Sequence, residues 1–438
     1  MRRYHPTTLM TCLASLPALA VAACDPGGSA GPTTTTTTTG ADATGATDTS
    51  APDAEVPPEC TDDAACAGFA DRPLCGPAGQ CVGLPAGHLI GWRDGSASSV
   101  TLTEVFRPTS PIEATDLEFH PKRDELWVLN RRFEVSGICA QSNFNSARCR
   151  SLGSTTTILF EAGTPNQDAI TLEDGNSWHF MRRAPALAMG AADTWATCGE
   201  AATGNFEDDP VNYIGPTLWS SDLDIYAQDS GGNGSHLDML HETPFCVGIA
   251  HERDNVYWLF NGEVGAIDRV DFHEDHGPGN DDHSDGEVHR YVEGALLRKP
   301  NVPSHMVFDP SDAHLYIVDS GNARVVKLDT TSGSPGGRLS PIYEELADSG
   351  DIAGATLTEV VLPGPLVEPS GLALHDGVLY VSDHATSRLF AFSKDGHELR
   401  RLETGLPEGS LAGITVGRDG KLWLVDMNEG AVYRVDPK

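Results

Sequence analysis

The stretch PSHMVFDPSDAHLYIVDSGNARVVKLD, residues 303–329, determines the fold predicted for most of the chain. It contains two short apolar runs of strand length that are joined by a polar turn. The segment Asp319–Arg324 follows the second run, and its Asp and Asn suit a tight turn because their side chains bond the local backbone. A third apolar run completes the unit. The pattern therefore predicts three consecutive antiparallel strands.

Five further copies of this unit occur along the chain. The full order of three strands recurs at 244–271, 369–392 and 411–435. The copy at 114–130 shows the first two strands, and the copy at 187–226 is the weakest. A sheet this small cannot bury its faces alone, so six units are expected to pack side by side and close into a ring. The sequence therefore predicts an all-β, six-bladed β-propeller over residues 85–438.

A second internal similarity predicts how the ring closes. Leu102–Val105 precedes the first copy as Leu357–Val360 precedes the fifth. Both segments are expected to be outer strands that lead into the next blade. Because the strand at 100–106 has no blade of its own upstream, we expect it to complete the last blade, which removes an open sheet edge.

The repeat resembles that of the NHL family of β-propellers, and Tyr316–Arg324 (YIVDSGNAR) is close to the signature of that family. Some propellers of this type are peptidyl-hydroxyglycine lyases, which hold zinc with histidines at the channel mouth, and Pro303–His305 resembles one of their strand entrances. The equivalent entrances here carry Cys246, Gly371 and Gly413, so the set of three histidines is not reproduced. The resemblance thus implies the fold more strongly than the lyase chemistry.

The composition limits the classes of partner. The chain has 63 acidic and 29 basic residues, and its formal net charge is −34. Such a surface repels nucleic acids and anionic lipid headgroups. We therefore expect no nucleic-acid partner, and either a generic solvated surface or one that binds cations.

The N-terminus has the pattern of an exported lipoprotein. Residues 1–23 combine Arg2 and Arg3 with an apolar segment that is too short to span a bilayer. The sequence VAAC at 21–24 resembles a bacterial lipobox, in which Cys24 is acylated; ordinary signal cleavage is the alternative. Residues 24–58, with seven consecutive threonines at 33–39, are predicted to form a disordered tether. The expected location is the cell envelope, exposed to the periplasm or the cell exterior and bound to the membrane by lipid.

The remaining cysteines fit an oxidising compartment. Residues 59–84 contain Cys60, Cys66, Cys75 and Cys81 and are too few to bury a core, so they are predicted to form a small module with two disulfides of open connectivity. Zinc is less suitable there because the segment has neither a histidine nor a Cys-x2-Cys pair. Two further pairs are expected, and they are Cys139 with Cys149 and Cys198 with Cys246.

The start of the first strand in each copy is expected to face the central channel. The aligned positions are Asp116, Ala186, Cys246, His305, Gly371 and Gly413. The small residues should keep this mouth open, while Asp116 and His305 place a carboxylate and an imidazole on it. With His241 and His384, which are expected on the same face, they form a candidate ligand-binding site. Asp319, Asp383 and Asp426 belong to the repeat turn and are expected to cap it.

The acidic loop DFHEDHGPGNDDHSDGE, residues 271–287, is not part of the repeat. Its candidate metal ligands are Asp271, Asp275, His276, Asp281, Asp282, His283 and Asp285. Closely spaced oxygen ligands favour calcium, whereas the two histidines would favour zinc. We expect a divalent metal, with calcium favoured, and a solvated acidic loop is the alternative. A second dense polar stretch occurs at 229–238.

Two classes of function follow from these features. The first is a binding propeller that presents a small-molecule, glycan or protein ligand site, together with a bound metal. The second is a metal-dependent hydrolase or lyase with its site at the channel mouth. The chain lacks a Gly-x-Ser-x-Gly elbow, a phosphate-binding loop and a His-Glu-x-x-His motif. The sequence therefore favours the binding function.

Overall fold

The structure, a computed structural model, describes residues 59–110, 112–132, 153–191, 193–202, 215–228, 232–280 and 282–438. In this part of the chain, six sheets of four or more strands follow one another, and their first strands contact each other in cyclic order. The predicted six-bladed β-propeller is therefore confirmed. The predicted signal peptide, the tether with Cys24 and the Cys139–Cys149 pair lie outside the described residues.

A small module precedes the ring. Its strands β1 (Leu74–Cys75) and β2 (Cys81–Val82) pair antiparallel. Disulfides join Cys60 to Cys75 and Cys66 to Cys81, and the buried cluster of the module consists of these cysteines. Cross-links thus take the place of a hydrophobic core, as the sequence predicted.

The first half of the ring follows strand β3 (Val100–Phe106). Blade 1 contains β4 (Glu113–Phe119), β5 (Glu125–Arg131), β6 (Thr155–Phe160) and β7 (Asp168–Leu172). Blade 2 contains β8 (Ala186–Met189), β9 (Thr194–Cys198), β10 (Thr217–Ser220) and β11 (His236–Met239). Blade 3 contains β12 (Ile249–Arg253), β13 (Val256–Asn261), β14 (Ala266–Asp271) and β15 (Glu287–Tyr291).

The second half of the ring contains an insertion. Blade 4 begins with β16 (Met306–Asp309), β17 (His314–Asp319) and β18 (Arg324–Asp329). The next segment supplies β19 (Ser334–Pro335) and β20 (Asp348–Ala353) to the outer side of blade 3, and β21 (Thr356–Val361) then completes blade 4. Blade 5 contains β22 (Pro369–His375), β23 (Val378–Asp383), β24 (Arg388–Ser393) and β25 (Glu398–Glu403). Blade 6 contains β26 (Leu411–Val416), β27 (Leu422–Asp426) and β28 (Ala431–Pro437), and β3 is its fourth strand.

Helices are short and peripheral in the described part of the chain. The single α-helical turn is α1 (Ser177–Phe180), and 3-10 turns lie at Asp63–Cys66, His88–Ile90, Ala97–Ser99 and Ser320–Asn322. None of the helices described is long and apolar enough to cross a membrane.

The second strand of each blade lies between two strands of its own sheet and between two neighbouring blades. Every residue of β5, β13 and β23 is accordingly buried. Apolar runs such as Leu126–Leu129 provide side chains for both faces of such a strand. The outer strand β25 is mostly exposed, and most of its residues are charged. This difference explains why the second strand gave the clearest repeat signal.

The ring closes between the two ends of the propeller. Strand β3 pairs antiparallel with β28, from Val432 opposite Phe106 to Pro437 opposite Val100. This pairing confirms that the strand at 100–106 completes the last blade. It also covers the edge of β28 that would otherwise be open to strand addition.

Blade 2, the weakest repeat in the sequence, is stabilised by aromatic packing against blade 1. Trp127, Trp195, Trp219 and Tyr226 are fully buried, and the rings of Trp127 and Trp195 have centroids 5.1 Å apart. The indole of Trp219 donates a hydrogen bond to the Thr197 hydroxyl at 2.9 Å. Large aromatic side chains thus compensate for the irregular repeat, because each removes a large apolar area from water.

The repeat-turn aspartates cap backbone amides, as predicted. Asp319 accepts a hydrogen bond from the Leu297 amide, Asp383 accepts one from the Thr386 amide, and Asp426 accepts one from the Asn428 amide. Their side chains are buried in these turns. They are therefore structural residues of the repeat.

A disulfide joins Cys198, at the end of β9, to Cys246, which precedes β12. It links blades 2 and 3 across a sequence separation of 48 residues. A cross-link that closes a loop of this length restricts the unfolded chain and should stabilise the fold by about 4 kcal/mol.

The double substitution Cys198→Ala and Cys246→Ala should therefore lower the free energy of unfolding by about 4 kcal/mol, measured by guanidinium titration. The matched control is Cys60→Ala with Cys75→Ala, which removes a disulfide from the module and should leave the main transition unchanged. Equal stability of the first variant and the wild type would show that the bond does not restrain the two blades.

Candidate functional site

The six aligned strand entrances surround the axis of the propeller and are tightly packed among the described residues. All six residues, including Gly371 and Gly413, are buried. A Cβ atom on Gly371 would lie 2.3 Å from the Ala412 carbonyl oxygen, and one on Gly413 would lie 2.7 Å from the Cα atom of Asp116. The small residues therefore let neighbouring inner strands approach closely. The predicted ligand site at the channel mouth stays a prediction.

Asp116 and His305 meet across the axis, as their places on opposite blades 1 and 4 allow. The His305 Nδ1 atom lies 3.1 Å from Asp116 Oδ1. The same carboxylate accepts hydrogen bonds from the amides of Leu117 and Leu187 at 2.8 and 2.9 Å. Both side chains are only 6% exposed. The pair thus ties blades 1, 2 and 4 together at the centre of the ring.

Arg131 lies at the end of β5 and is fully buried. Its guanidinium is 3.1 Å from Glu113 and 3.3 Å from Glu200, and it donates a hydrogen bond to the Asn301 carbonyl at 2.8 Å. It therefore connects groups from three blades on the face where the candidate ligand site was expected. Buried ionic groups of this kind are costly to separate, because each would leave an uncompensated charge.

Glu118, two residues beyond Asp116 on β4, was missed by the sequence reasoning. Burial and the neighbouring Asp116 raise the pKa of Glu118 to about 8. Its carboxylate accepts a hydrogen bond from the Met189 amide at 2.7 Å. The position of Glu118 could have indicated that it lies beside Asp116. The two residues are separated by one position, and alternate residues of a strand point to the same face.

The other two histidines assigned to the channel mouth lie away from the Asp116–His305 pair. His384 Nδ1 bonds the Leu411 carbonyl oxygen at 2.9 Å, at the junction of blades 5 and 6. His241 bonds Glu344 through Nδ1 at 2.7 Å and is attached in this way to the insertion of blade 4. The four predicted residues therefore belong to three separate places.

A cleft of about 220 Å³ lies over blade 3, beside His241. Its lining combines acidic side chains with small apolar ones, and it consists of Glu242, Pro244, Asn261, Glu263, Val264, Arg290, Glu293, Ser340, Pro341 and Tyr343. The guanidinium of Arg290 lies 2.7 Å from the fully buried Asp268, so its charge is already compensated. The cleft therefore carries surplus negative charge.

Glu242 is the buried carboxyl group of this cleft. It is 4% exposed, and its Oε1 atom accepts a hydrogen bond from the Tyr343 amide at 2.7 Å. Burial raises the pKa of Glu242 to about 7, although the Tyr343 amide opposes this shift. No sequence pattern indicated the cleft, because Tyr343 reaches it from the insertion of blade 4.

Three carboxylates of the acidic loop cap turns of the loop itself. Asp271, Asp275 and Asp282 accept hydrogen bonds from the amides of His273, Gly277 and Ser284. Asp281 lies outside the described residues. The loop therefore does not gather the candidate ligands at one point in the described part of the chain.

His276 and Asp285 of the loop instead meet Asp238 of β11. Their candidate ligand atoms lie within 4.8 Å of one another, and His276 Nε2 is 2.9 Å from Asp285 Oδ1. Asp238 is completely buried, and this burial raises the pKa of its carboxyl group. His283 Nδ1 lies 2.7 Å from Asp238 Oδ1, and the ring of His283 is 5.7 Å from that of His241. Of the residues brought together here, Asp238 was not among the predicted ligands.

Comparison with known proteins adds little to this geometry. Neither a family model nor a curated protein matches the chain. An auxiliary nutrient-binding protein from Bacteroides ovatus is 10% identical, with a TM-score of 0.48 over 77% of this chain and 76% of that one. Calcium-binding regucalcin from Agrobacterium tumefaciens is 12% identical, with a TM-score of 0.43 over 77% of this chain and 96% of that one. Similarity at this level assigns no function.

The closed axis predicts a structural role for Asp116. Replacing Asp116 by Ala leaves the buried amides of Leu117 and Leu187 without an acceptor, so the free energy of unfolding should fall by about 3 kcal/mol. Urea titration of the purified protein measures this change. The exposed Asp168 of blade 1 provides the control, since Asp168→Ala should change stability by less than about 0.5 kcal/mol. An unchanged transition for Asp116→Ala would contradict the structural role.

Proposed function

We propose that this protein is a cell-envelope binding protein that holds a small organic cation, an ammonium or a guanidinium group, in the cleft over blade 3. The observation that carries the proposal is Glu242, a buried carboxyl group in a cleft with surplus negative charge. Its Oε1 atom accepts a hydrogen bond from the Tyr343 amide, and the nearby guanidinium of Arg290 pairs with the carboxylate of Asp268. An ionised carboxylate in such a place needs a positive partner.

The rim of the cleft supports a ligand of this charge. Glu263 and Glu293 are exposed at the rim. The only basic group of the described lining is Arg290, which lies 2.7 Å from Asp268 and 3.8 Å from Glu293, so one guanidinium faces several carboxylates. Pro244, Val264 and Pro341 supply apolar surface for a short hydrocarbon chain. A ligand with a charged head and an apolar stem, such as the side chain of lysine or an amine, matches this arrangement.

The net charge of −34 supports the same choice, because an acidic surface raises the local concentration of cations. Burial of the aligned residues at the axis favours the binding function over the enzymatic alternative. A hydrolase or lyase at the channel mouth would need accessible groups there, and the aligned residues are buried.

Binding should be specific for charge. Nα-acetyl-lysine amide should bind in isothermal titration calorimetry at pH 8, whereas the neutral Nα-acetyl-norleucine amide should not. Glu242→Gln should weaken binding at least tenfold, because glutamine keeps an acceptor for the Tyr343 amide but carries no charge. Asp224→Asn, in a separate exposed cleft, is the matched control and should leave affinity unchanged.

The affinity should also depend on pH in a stated direction. Glu242 has a pKa of about 7 in the free protein, so its ionised form is scarce at pH 5.5 and predominant at pH 8. The affinity for Nα-acetyl-lysine amide should therefore fall about thirtyfold on acidification from pH 8 to pH 5.5, in proportion to the ionised fraction of Glu242. Glu242→Gln should show no such dependence. Equal binding of the neutral analogue, or affinity that rises on acidification, would contradict the proposal.

We also propose that the protein is a lipoprotein attached to the membrane through acylated Cys24, with NHL-type repeats. The disulfides of the module and between blades 2 and 3 support an oxidising location outside the cytoplasm. Several acyl chains on one residue give stable anchoring, whereas one chain does not. We further propose that the acidic loop at 271–287 binds a divalent metal.

Cys24→Ser should release the protein from the membrane fraction into the soluble fraction. Cell fractionation and immunoblotting measure the distribution, and Cys12→Ser in the predicted signal peptide is the control that should still sediment. Mass spectrometry of the wild-type N-terminal peptide should show acylation. A Cys24→Ser variant that remains with the membranes would contradict the lipid anchor.

A further inference from the structure

The outer edge of blade 2 is covered by the acidic loop of blade 3. The amides of His276 and Gly279 donate hydrogen bonds to the carbonyl oxygens of Leu237 and His236 in β11. The loop thus satisfies the free edge of an outer strand, which otherwise could pair with another chain. This contact brings two loop side chains against the buried carboxylate of Asp238.

Asp238 provides an unused ligand atom at this contact. Its Oδ1 atom accepts hydrogen bonds from the Met239 amide and His283, but its buried Oδ2 atom has no hydrogen-bond partner among the described residues. The Oδ2 atom lies 4.0 Å from His276 Nε2. A buried carboxylate oxygen is costly without a partner, and a cation at this point would supply one.

The three side chains have the chemistry of a transition-metal site. One imidazole and two carboxylates are ligands that suit zinc and similar borderline metals, whereas calcium takes six to eight oxygen atoms. Bonds of about 2.0 Å in a tetrahedral site place ligand atoms about 3.3 Å apart. The separations of 2.9 Å and 4.0 Å from His276 Nε2 bracket this value.

The neighbouring groups fit such a site. His283 lies 2.7 Å from the other oxygen of Asp238 and would orient the carboxylate, as outer-shell groups do around bound metals. His276 and Asp285 are 20% and 34% exposed, so solvent can reach the open side of the cluster and supply a fourth ligand.

We propose that Asp238, His276 and Asp285 bind a divalent transition metal, with zinc as the representative ion, and that the metal fastens the blade 3 loop to the outer edge of blade 2. This inference rests on the proposed metal binding and assigns its ligands and metal class. It replaces calcium with zinc, because the cluster offers one imidazole and two carboxylates and not the six to eight oxygen ligands of calcium.

The test uses the full chain without an affinity tag, stripped with a chelator and verified as metal-free by mass spectrometry. Added zinc should bind at one ion per chain and raise the melting temperature, and cobalt should give visible absorption bands typical of nitrogen and oxygen ligands. Calcium at the same concentration should neither bind stoichiometrically nor stabilise the protein.

Substitutions then assign the site. His276→Gln and Asp285→Asn should each weaken zinc binding at least tenfold and remove the cobalt bands. The binding of Nα-acetyl-lysine amide in the cleft should stay unchanged. Asp282→Asn is the matched control, because it removes the same charge from the same loop without removing a ligand. The metal-free variants should melt like the metal-free wild type.

Other results overturn the inference in distinguishable ways. If the wild type binds no metal, both the site and the proposed metal binding fail. If it binds a metal that His276→Gln and Asp285→Asn leave in place, or if Asp282→Asn loses as much affinity as they do, the protein binds metal but this ligand assignment fails.

Discussion

The pairing of β3 with β28 is the interaction on which the rest of the structure depends. It joins residues 100–106 to the C-terminal strand and gives blade 6 its fourth strand. Without it, one blade would expose a sheet edge, and the inner strands would not be held in a closed circle. With it, six irregular copies of one repeat share a common axis.

In this closed ring, the inner strands of the blades pack against one another around the axis. Gly371 and Gly413 let adjacent inner strands come together, and Asp116 and His305 join opposite blades across the axis. The cleft and the ligand cluster of the described residues lie off the axis, where the insertion of blade 4 and the loop of blade 3 reach neighbouring blades. The cleft around Glu242 and the cluster around Asp238 both arise at such crossings.

The fold could be predicted because it depends on local pattern. The second strands read as apolar runs, the turn aspartates recur at fixed positions, and Leu102–Val105 predicted the closing strand. The sites depend on contacts between distant segments, such as Tyr343 with Glu242 and Asp285 with Asp238. Neither contact leaves a periodic signal, so the sequence identified the loop of His276 but not its partner on β11. Small residues at the strand entrances could not by themselves distinguish an open channel from close packing, since such residues permit both.

We propose that the residues at the axis have a structural role and that ligands bind over blade 3. Hydrogen–deuterium exchange of the full chain, with and without saturating Nα-acetyl-lysine amide, tests it most directly. Amide exchange should be slower at 240–245 and 340–346 in the presence of the ligand, and it should not change at 113–119 or 303–308. Protection confined to these inner strands at the axis would contradict it.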